Sequence, residues 1–328
     1  MIKFFRQSYA IQYVVIALMA IGLWIPAFVS GKLTTGLCQP VTPIYNLIDR
    51  LLSYSHILQH AFAFLLLLLE TLIINTISVN NQIVGKVSTM GAFVFVLMMS
   101  LTCTQTNFYP FALSAFFILL VIKNLFDTFQ EPKPEISLVK VGALLAFASM
   151  CYFPSIVLVL WVMIVLPMAK NGSLRFQLVP LFGFLFIYLL YYVGVFLFGD
   201  FKLLMQSYLE YFTSINLSVE GFNLKNIMLL AVLLVSTFFL LFGTGNANFE
   251  KTVAVRSKIS MIYIMIAFAV LLLFLGGGNV LMNGLIFIPL SILVAYAFSY
   301  INNTGWADLF LAIFLIAIFA NHYYFKLI

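Results

Sequence analysis

The stretch LLLLLETLIINT, residues 65–76, places one glutamate inside an otherwise apolar run. The run covers residues 59–79, which matches the roughly 20 apolar residues that a helix needs to cross a bilayer. Glu70 lies near the middle of the run, where an ionised carboxylate costs about 2.5–3.5 kcal/mol or more. The stretch therefore predicts a membrane-crossing helix whose glutamate is protonated or faces polar groups inside a helix bundle. One alternative is a hydrogen bond from the protonated Glu70 to a serine or threonine of a neighbouring helix, and the other is a specific role in a proton, ion or substrate path or in a contact between subunits.

The composition of the whole chain resembles that of this run. Of its 328 residues, 64% are hydrophobic, 17% are aromatic and only 8% are charged, whereas soluble domains carry about 25% charged residues. The apolar runs are continuous rather than alternating, which favours helices over the strands of a membrane barrel. We therefore expect an all-α, polytopic transmembrane bundle surrounded by lipid.

The apolar runs predict about eleven spans. Two pairs of these helices are predicted to form tight hairpins. TNFYP makes the turn between helices 88–106 and 110–126, and Pro154 separates helices 138–153 and 154–169. No strong internal repeat is visible. The predicted helices are 10–29, 59–79, 88–106, 110–126, 138–153, 154–169, 176–198, 225–243, 259–275, 279–300 and 305–322.

Lysine and arginine predict the orientation of these helices. With the N-terminus in the cytoplasm, most of them fall on cytoplasmic loops, as the positive-inside rule requires. We therefore expect a multi-pass membrane protein with its C-terminus outside and with the N-terminal stretch, residues 1–30, kept as an uncleaved first helix. Orientation also accounts for the net charge of +6, and no nucleic-acid partner is expected.

Two outer loops, residues 31–58 and 199–226, are long enough to carry helices of their own. In the first, Thr42 and Pro43 begin a segment whose two faces differ in polarity. This amphipathic pattern predicts a helix in the headgroup plane, and the second loop repeats it more weakly. The apolar face of the first segment carries Ile44, Leu47, Ile48, Leu51 and Leu52, and its polar face carries Asn46, Asp49, Arg50 and Ser53.

This order of elements resembles the GT-C class of membrane glycosyltransferases over residues 1–226, with residues 227–328 as further C-terminal helices. The resemblance lies in topology, and it implies sugar transfer from a polyprenyl-phosphate donor at the outer face. The stretches ASMCYFPSIVLVLWVMIVL and SLRFQLVPLFGFLFIYLLYY also resemble a family of bacterial multi-spanning inner-membrane proteins that carries no assigned activity.

The resemblance implies an acidic residue just after the first helix. Here that stretch reads VSGKLTTGLCQP and contains no aspartate or glutamate. The first acid is Asp49, which lies beside Arg50 and is predicted to be structural or solvated, as in a surface ion pair. The candidate catalytic residues are Asp49, Arg50 and His56, and none of them forms a recognisable catalytic set.

Histidines, tyrosines and cysteines near the outer surface each have a structural explanation as well as a functional one. His56 and His60 have the spacing of a metal pair but lack a third ligand, so no metal and no cofactor are expected. Tyr188, Tyr191 and Tyr192 predict an interfacial aromatic belt or a site for a sugar or lipid headgroup. Cys103 and Cys151 end helices on the same side, which leaves a disulfide open.

Three functions follow from these features. The first is a non-catalytic subunit or assembly factor of an inner-membrane complex on a GT-C-like scaffold, with a membrane-protein partner. The second is a divergent polyprenyl-phosphate-dependent glycosyltransferase or glycan-lipid enzyme. The third is a transporter or flippase that uses Glu70.

Overall fold

The computed structural model describes residues 1–30, 42–85, 87–100, 108–129, 131, 134–168, 174–199, 201–213, 252–275, 284–301 and 304–323. Every regular element in these residues is a helix, and no strand occurs among them. The predicted all-α class is therefore confirmed.

The helices of the described residues include several that are much longer than the mean globular helix. Short 3-10 segments at Phe153–Val157, Leu166–Met168 and Gly284–Ile286 flank two of them. In chain order the helices are α1 Ile2–Phe5, α2 Ala10–Ser30, α3 Pro43–Leu52, α4 His56–Asn80, α5 Met90–Met99, α6 Pro110–Asp127, α7 Glu135–Cys151, α8 Leu158–Val165, α9 Leu174–Phe198, α10 Phe201–Thr213, α11 Val253–Leu275, α12 Phe287–Tyr300 and α13 Thr304–Tyr323.

Most predicted helices coincide with observed ones, and the differences lie at their ends. Helix α11 begins at Val253 instead of residue 259, because the prediction excluded the cations that the helix in fact carries in its first turns. The predicted break at Pro154 is present, since the chain is extended at Tyr152 and then turns through a 3-10 segment. The helix predicted at 225–243 lies outside the described residues.

Four of the described helices are long and apolar enough to cross a membrane. They are His56–Asn80, Pro110–Asp127, Arg175–Phe198 and Val253–Leu271. Shorter apolar helices cover Ala10–Pro26, Met90–Met99, Phe153–Met168 and Gly284–Tyr300. The count of about eleven spans stays a prediction, because these shorter segments fall below the length of a complete span.

Helices α5 and α12 form the centre of the bundle. Every residue of α5 is buried, and α12 is buried on all sides from Phe287 to Phe298. A helix that is apolar all round needs neighbours on every side, and α5 packs directly on α12 and α4. The outer helices instead turn large apolar side chains outward, which suits lipid as the surrounding solvent.

Helices α7 and α9 approach each other so closely that their contact depends on glycine. A Cβ atom at Gly142 of α7 would lie 1.9 Å from the Pro180 carbonyl oxygen of α9, and one at Gly183 would lie 2.6 Å from the Val139 oxygen. The small residues Gly142, Ala143, Ala146 and Ala148 predicted close helix contact. At Gly142 that contact is made within the chain.

Hydrogen bonds and ring contacts gather several chain segments at one end of the bundle, which we call the basic end. There Arg6 donates to the carbonyls of Phe298 and Ile301 at 2.7 and 2.6 Å. The N-terminal amine lies 3.1 Å from Asp308, and the backbone N–H of Thr89 donates to Phe5. Lys258 joins the start of α11 to the residues that follow α4 and α6.

The opposite end, which we call the tyrosine end, carries α3, the start of α6, the end of α7 and helix α10. Tyr45 of α3 stacks on Phe108 and donates its hydroxyl to the Phe108 carbonyl at 3.2 Å. Phe153 packs against Tyr208 of α10 with ring centroids 5.2 Å apart. Both short helices, predicted as interfacial, thus lie at the same end of the bundle.

Candidate functional site

The buried face of α4 carries a row of polar side chains along its length. Side chains three to four residues apart share a helix face, and α4 uses this spacing on the side that packs on α2, α5 and α6. The row has two parts, one near the tyrosine end and one from Glu70 toward the basic end, and the buried apolar residues Ala63, Leu66 and Leu67 separate them. Its buried polar members are Gln59, His60, Glu70, Thr71, Asn75 and Ser78, followed by Asn81 just after the helix.

Glu70 is the acid in this row, and it is 1% exposed. Its Oε1 atom has no hydrogen-bond partner among the described residues. The residue lines a cavity of about 10 Å³ together with Trp24, Ala63, Leu66, Leu67, Met99, Phe111 and Ala112. The hydrogen bond from Glu70 to a serine or threonine of a neighbouring helix, one of the sequence-based alternatives, is not formed by the described residues.

Toward the basic end the members of the row form hydrogen bonds with side chains of other helices or with the backbone of α4. Asn75 donates to the Tyr13 hydroxyl of α2 at 2.7 Å. Asn81 donates to the Ile77 carbonyl and accepts a hydrogen bond from the Lys258 ammonium at 2.6 Å. Polar groups of α2 and α11 thus meet those of α4 within the bundle.

Asp49 lies at the tyrosine end, where α3 packs on α4 and α7. It is 9% exposed and accepts a hydrogen bond from Gln59 Nε2 at 2.8 Å. The prediction of a solvated Asp49 paired with Arg50 differs from this arrangement, since Arg50 is exposed. The physical reason is that Leu47 and Leu51 face outward, 62% and 65% exposed, so the helix turns its acid inward.

The two histidines proposed as a metal pair have different surroundings. His60 is buried and packs edge-on against Phe28 at 5.7 Å, while His56 is half-buried at the start of α4. The part of the chain that the structure describes contains no group of three or more histidine, cysteine, aspartate or glutamate side chains suited to a metal. A metal site at His56 and His60 therefore gains no third ligand from these residues.

The predicted tyrosines of α9 form an aromatic cluster with α10. Tyr188 and Ser149 share a hydrogen bond of 2.8 Å between their hydroxyls. Tyr191 and Tyr192 pack against the small core formed by Phe153, Leu204 and Tyr208. The rings fill the junction between the two helices, and both the interfacial aromatic belt and the headgroup site stay predictions.

Burial makes the hydroxyl groups of the α10 tyrosines weaker acids than free tyrosine. It raises the pKa of Tyr211 to about 12. Burial also raises the pKa of Tyr208, and the neighbouring tyrosines reinforce this effect. Both hydroxyls are therefore neutral at physiological pH and can donate as well as accept hydrogen bonds.

Lys258 is a residue whose role the sequence reasoning missed. It was predicted to lie in a cytoplasmic loop as an orientation signal, yet it is 3% exposed. Its ammonium lies 5.6 Å and 5.2 Å from the ring centroids of Phe126 and Phe129, in addition to its bond to Asn81. The signal that could have found it is its place immediately before the predicted apolar run 259–275, since the helix begins more than one turn earlier, at Val253.

Cys151 ends α7, where it is buried and free. Cys38 and Cys103 lie outside the described residues. A pairing of Cys103 with Cys151 is therefore not part of the described structure.

These features define an all-α protein with four helices that are long and apolar enough to cross a membrane. The chain belongs to a family of unknown function, DUF6427, which it matches over residues 41–328. No curated protein and no solved structure matches the chain.

Proposed function

We propose that the protein is a non-catalytic, multi-spanning subunit or assembly factor of a bacterial inner-membrane complex. In this proposal the bundle has about eleven spans on a GT-C-like scaffold, and its basic end faces the cytoplasm. The observation that carries the proposal is the outward face of α9, which leaves room for a partner helix.

Helix α9 has the smallest buried share of the four candidate spans. Only 17% of its apolar window is buried inside the chain, against 50%, 61% and 39% for the others. Its exposed side chains repeat at helical spacing and end in aromatic residues beside α10. They are Phe182, Leu185, Phe186, Leu189, Leu190, Val193, Phe196, Leu197 and Phe198.

A glycine on this helix adds to the case for a docked partner. An added Cβ at Gly194 would meet no atom of the described residues within 4 Å, so these residues leave the space beside it open. Small residues let the backbones of two membrane helices approach closely. A helix at the edge of the bundle that carries such a glycine can contact a partner helix as well as lipid.

The role of Asp49 agrees with a subunit better than with an enzyme. Its carboxylate is buried and accepts a hydrogen bond from Gln59, so it serves to fix α3 on α4. A general base has to reach its substrate, which would require Asp49 to leave this contact. The glycan-lipid enzyme, with a polyprenyl-phosphate substrate, stays a prediction.

Site-specific photo-crosslinking in native membranes tests the docking surface. A photoreactive amino acid replaces Phe186 of α9 or, as a matched control, Leu18 of α2, which are 60% and 62% exposed. We expect one discrete protein adduct from the α9 position and only lipid adducts from the α2 position. Lipid adducts alone from both positions would contradict the proposal.

A second candidate function is proton- or ion-coupled transport through Glu70. The observation that favours it is the cavity beside a carboxyl group whose Oε1 has no partner among the described residues. Intramembrane acids commonly belong to substrate or proton paths. Glu70→Gln is then expected to abolish transport in proteoliposomes while leaving folding intact, whereas a structural subunit would keep its partner.

A further inference from the structure

Two buried polar groups from different helices line the same cavity. Glu70 of α4 and Trp24 of α2 are 1% and 2% exposed, and both border it. Glu70 Oε1 and Trp24 Nε1 each have no hydrogen-bond partner among the described residues. One atom is an acceptor and the other is a donor, so a single small polar ligand could satisfy both.

The size of the cavity limits what that ligand can be. Its volume of about 10 Å³ is close to the smallest space that holds one water molecule, about 10–15 Å³. The remaining lining residues are Ala63, Leu66, Leu67, Met99, Phe111 and Ala112. None of these side chains is charged, so no cation among the described lining residues balances a negative charge on Glu70.

We propose that the cavity binds one water molecule, which accepts a hydrogen bond from Trp24 Nε1 and donates one to Glu70 Oε1. Glu70 is a neutral carboxylic acid in this arrangement, because an ionised one would be costly in the hydrocarbon layer. The proposal goes beyond both candidate functions, since a structural subunit could hold the same water.

The distribution of polar side chains along α4 also indicates from which end of the bundle the Glu70 carboxyl group exchanges its proton with water. From Glu70 toward the basic end, the buried side chains include Asn75, Ser78 and Asn81, and Asn75 lies about 7.5 Å further along the helix axis. Toward the tyrosine end, the next residues on this face are Ala63, Leu66 and Leu67. Because the buried polar side chains nearest to Glu70 on α4 lie toward the basic end, we expect its proton to exchange with water by way of Asn75.

Infrared spectroscopy of the purified full-length protein in lipid nanodiscs tests the site. The wild type is expected to show a carboxylic acid C=O band that shifts in D₂O and is lost in Glu70→Gln. Trp24→Phe is expected to move this band to higher frequency, because the bridging water loses the donor that holds it. Trp161→Phe is the control, since that indole already donates to the Met261 carbonyl at 3.1 Å.

The outcomes separate the parts of the proposal. A spectrum without a Glu70-dependent acid band would show an ionised glutamate and overturn it. A band unchanged by Trp24→Phe would overturn the bridging water, and a band lost on adding Na⁺ would identify a cation site instead. Asn75→Leu is expected to slow the deuterium shift, and an unchanged rate would overturn exchange from the basic end.

The transport assay distinguishes this site from the second candidate function. A Glu70-dependent acid band together with absent transport would support the water site and reject transport. The Trp24→Phe measurement reads the wild-type carboxyl group, so it still tests the site if Glu70→Gln fails to fold.

Discussion

The two ends of the bundle are held together by different chemistry. At the basic end, cations contact carbonyl oxygens, an amide and aromatic rings, as Arg6 and Lys258 do. At the tyrosine end, aromatic rings pack on each other and Asp49 accepts from Gln59. The comparison shows that the lysines and arginines of this chain can serve packing as well as orientation.

The close contact between α7 and α9 at Gly142 should be the part of the bundle that is most sensitive to substitution. Gly142→Ala places a methyl group 1.9 Å from the Pro180 oxygen, so α7 and α9 must move apart. We expect a loss of more than about 3 kcal/mol, at or beyond the upper range for overpacking. The thermal midpoint of the detergent-purified protein measures it.

The matched control for this change is Gly194→Ala on α9. An added methyl group there meets no atom within 4 Å in the part of the chain that the structure describes, and alanine favours a helix over glycine by about 1 kcal/mol. We therefore expect an unchanged or slightly higher midpoint. Equal losses in the two variants would show that the α7–α9 contact is not what limits stability.

The basic end can be weakened at Lys258 without changing the shape of α11. Lys258→Met removes the hydrogen bond to Asn81 and the cation–π contacts with Phe126 and Phe129. Hydrogen bonds to charged groups contribute about 1.5–3 kcal/mol, and we expect a loss of that size in thermal unfolding. Arg256→Met, at an exposed position of the same helix, is expected to stay within about 0.5 kcal/mol.

Asp49 tests the tyrosine end in the same way. Asp49→Ala removes the acceptor for Gln59, and we expect a loss of about 1–2 kcal/mol in thermal unfolding. Asp49→Asn keeps an acceptor oxygen and should be nearly neutral for both stability and partner binding. Loss of a cellular function in Asp49→Asn with stability retained would favour the glycan-lipid enzyme over the subunit.

The sequence predicted most of the described helices because long, continuous apolar runs favour helices over strands in a membrane. It also located α3 and α10, whose polarity alternates at helical spacing. The inward direction of Asp49 was not predictable, because the pattern of α3 shows two faces but not which one packs on α4. The Trp24–Glu70 cavity was also hidden, since it forms only where α2, α4, α5 and α6 meet.

The smallest expected effect concerns the response of the tyrosine end to alkaline pH. Burial raises the pKa of Tyr211 from 10.0 to about 12, so between these values the unfolded chain releases a proton that the folded chain keeps. Stability is therefore complete below pH 10.0 and falls as pH rises toward 12, because ionisation favours the unfolded state. The thermal midpoint of Tyr211→Phe should therefore fall less over this range than that of the wild type. Each midpoint is compared with the value of the same protein at neutral pH. Identical pH profiles would mean that Tyr211 is not held in the aromatic packing between α10 and the end of α7.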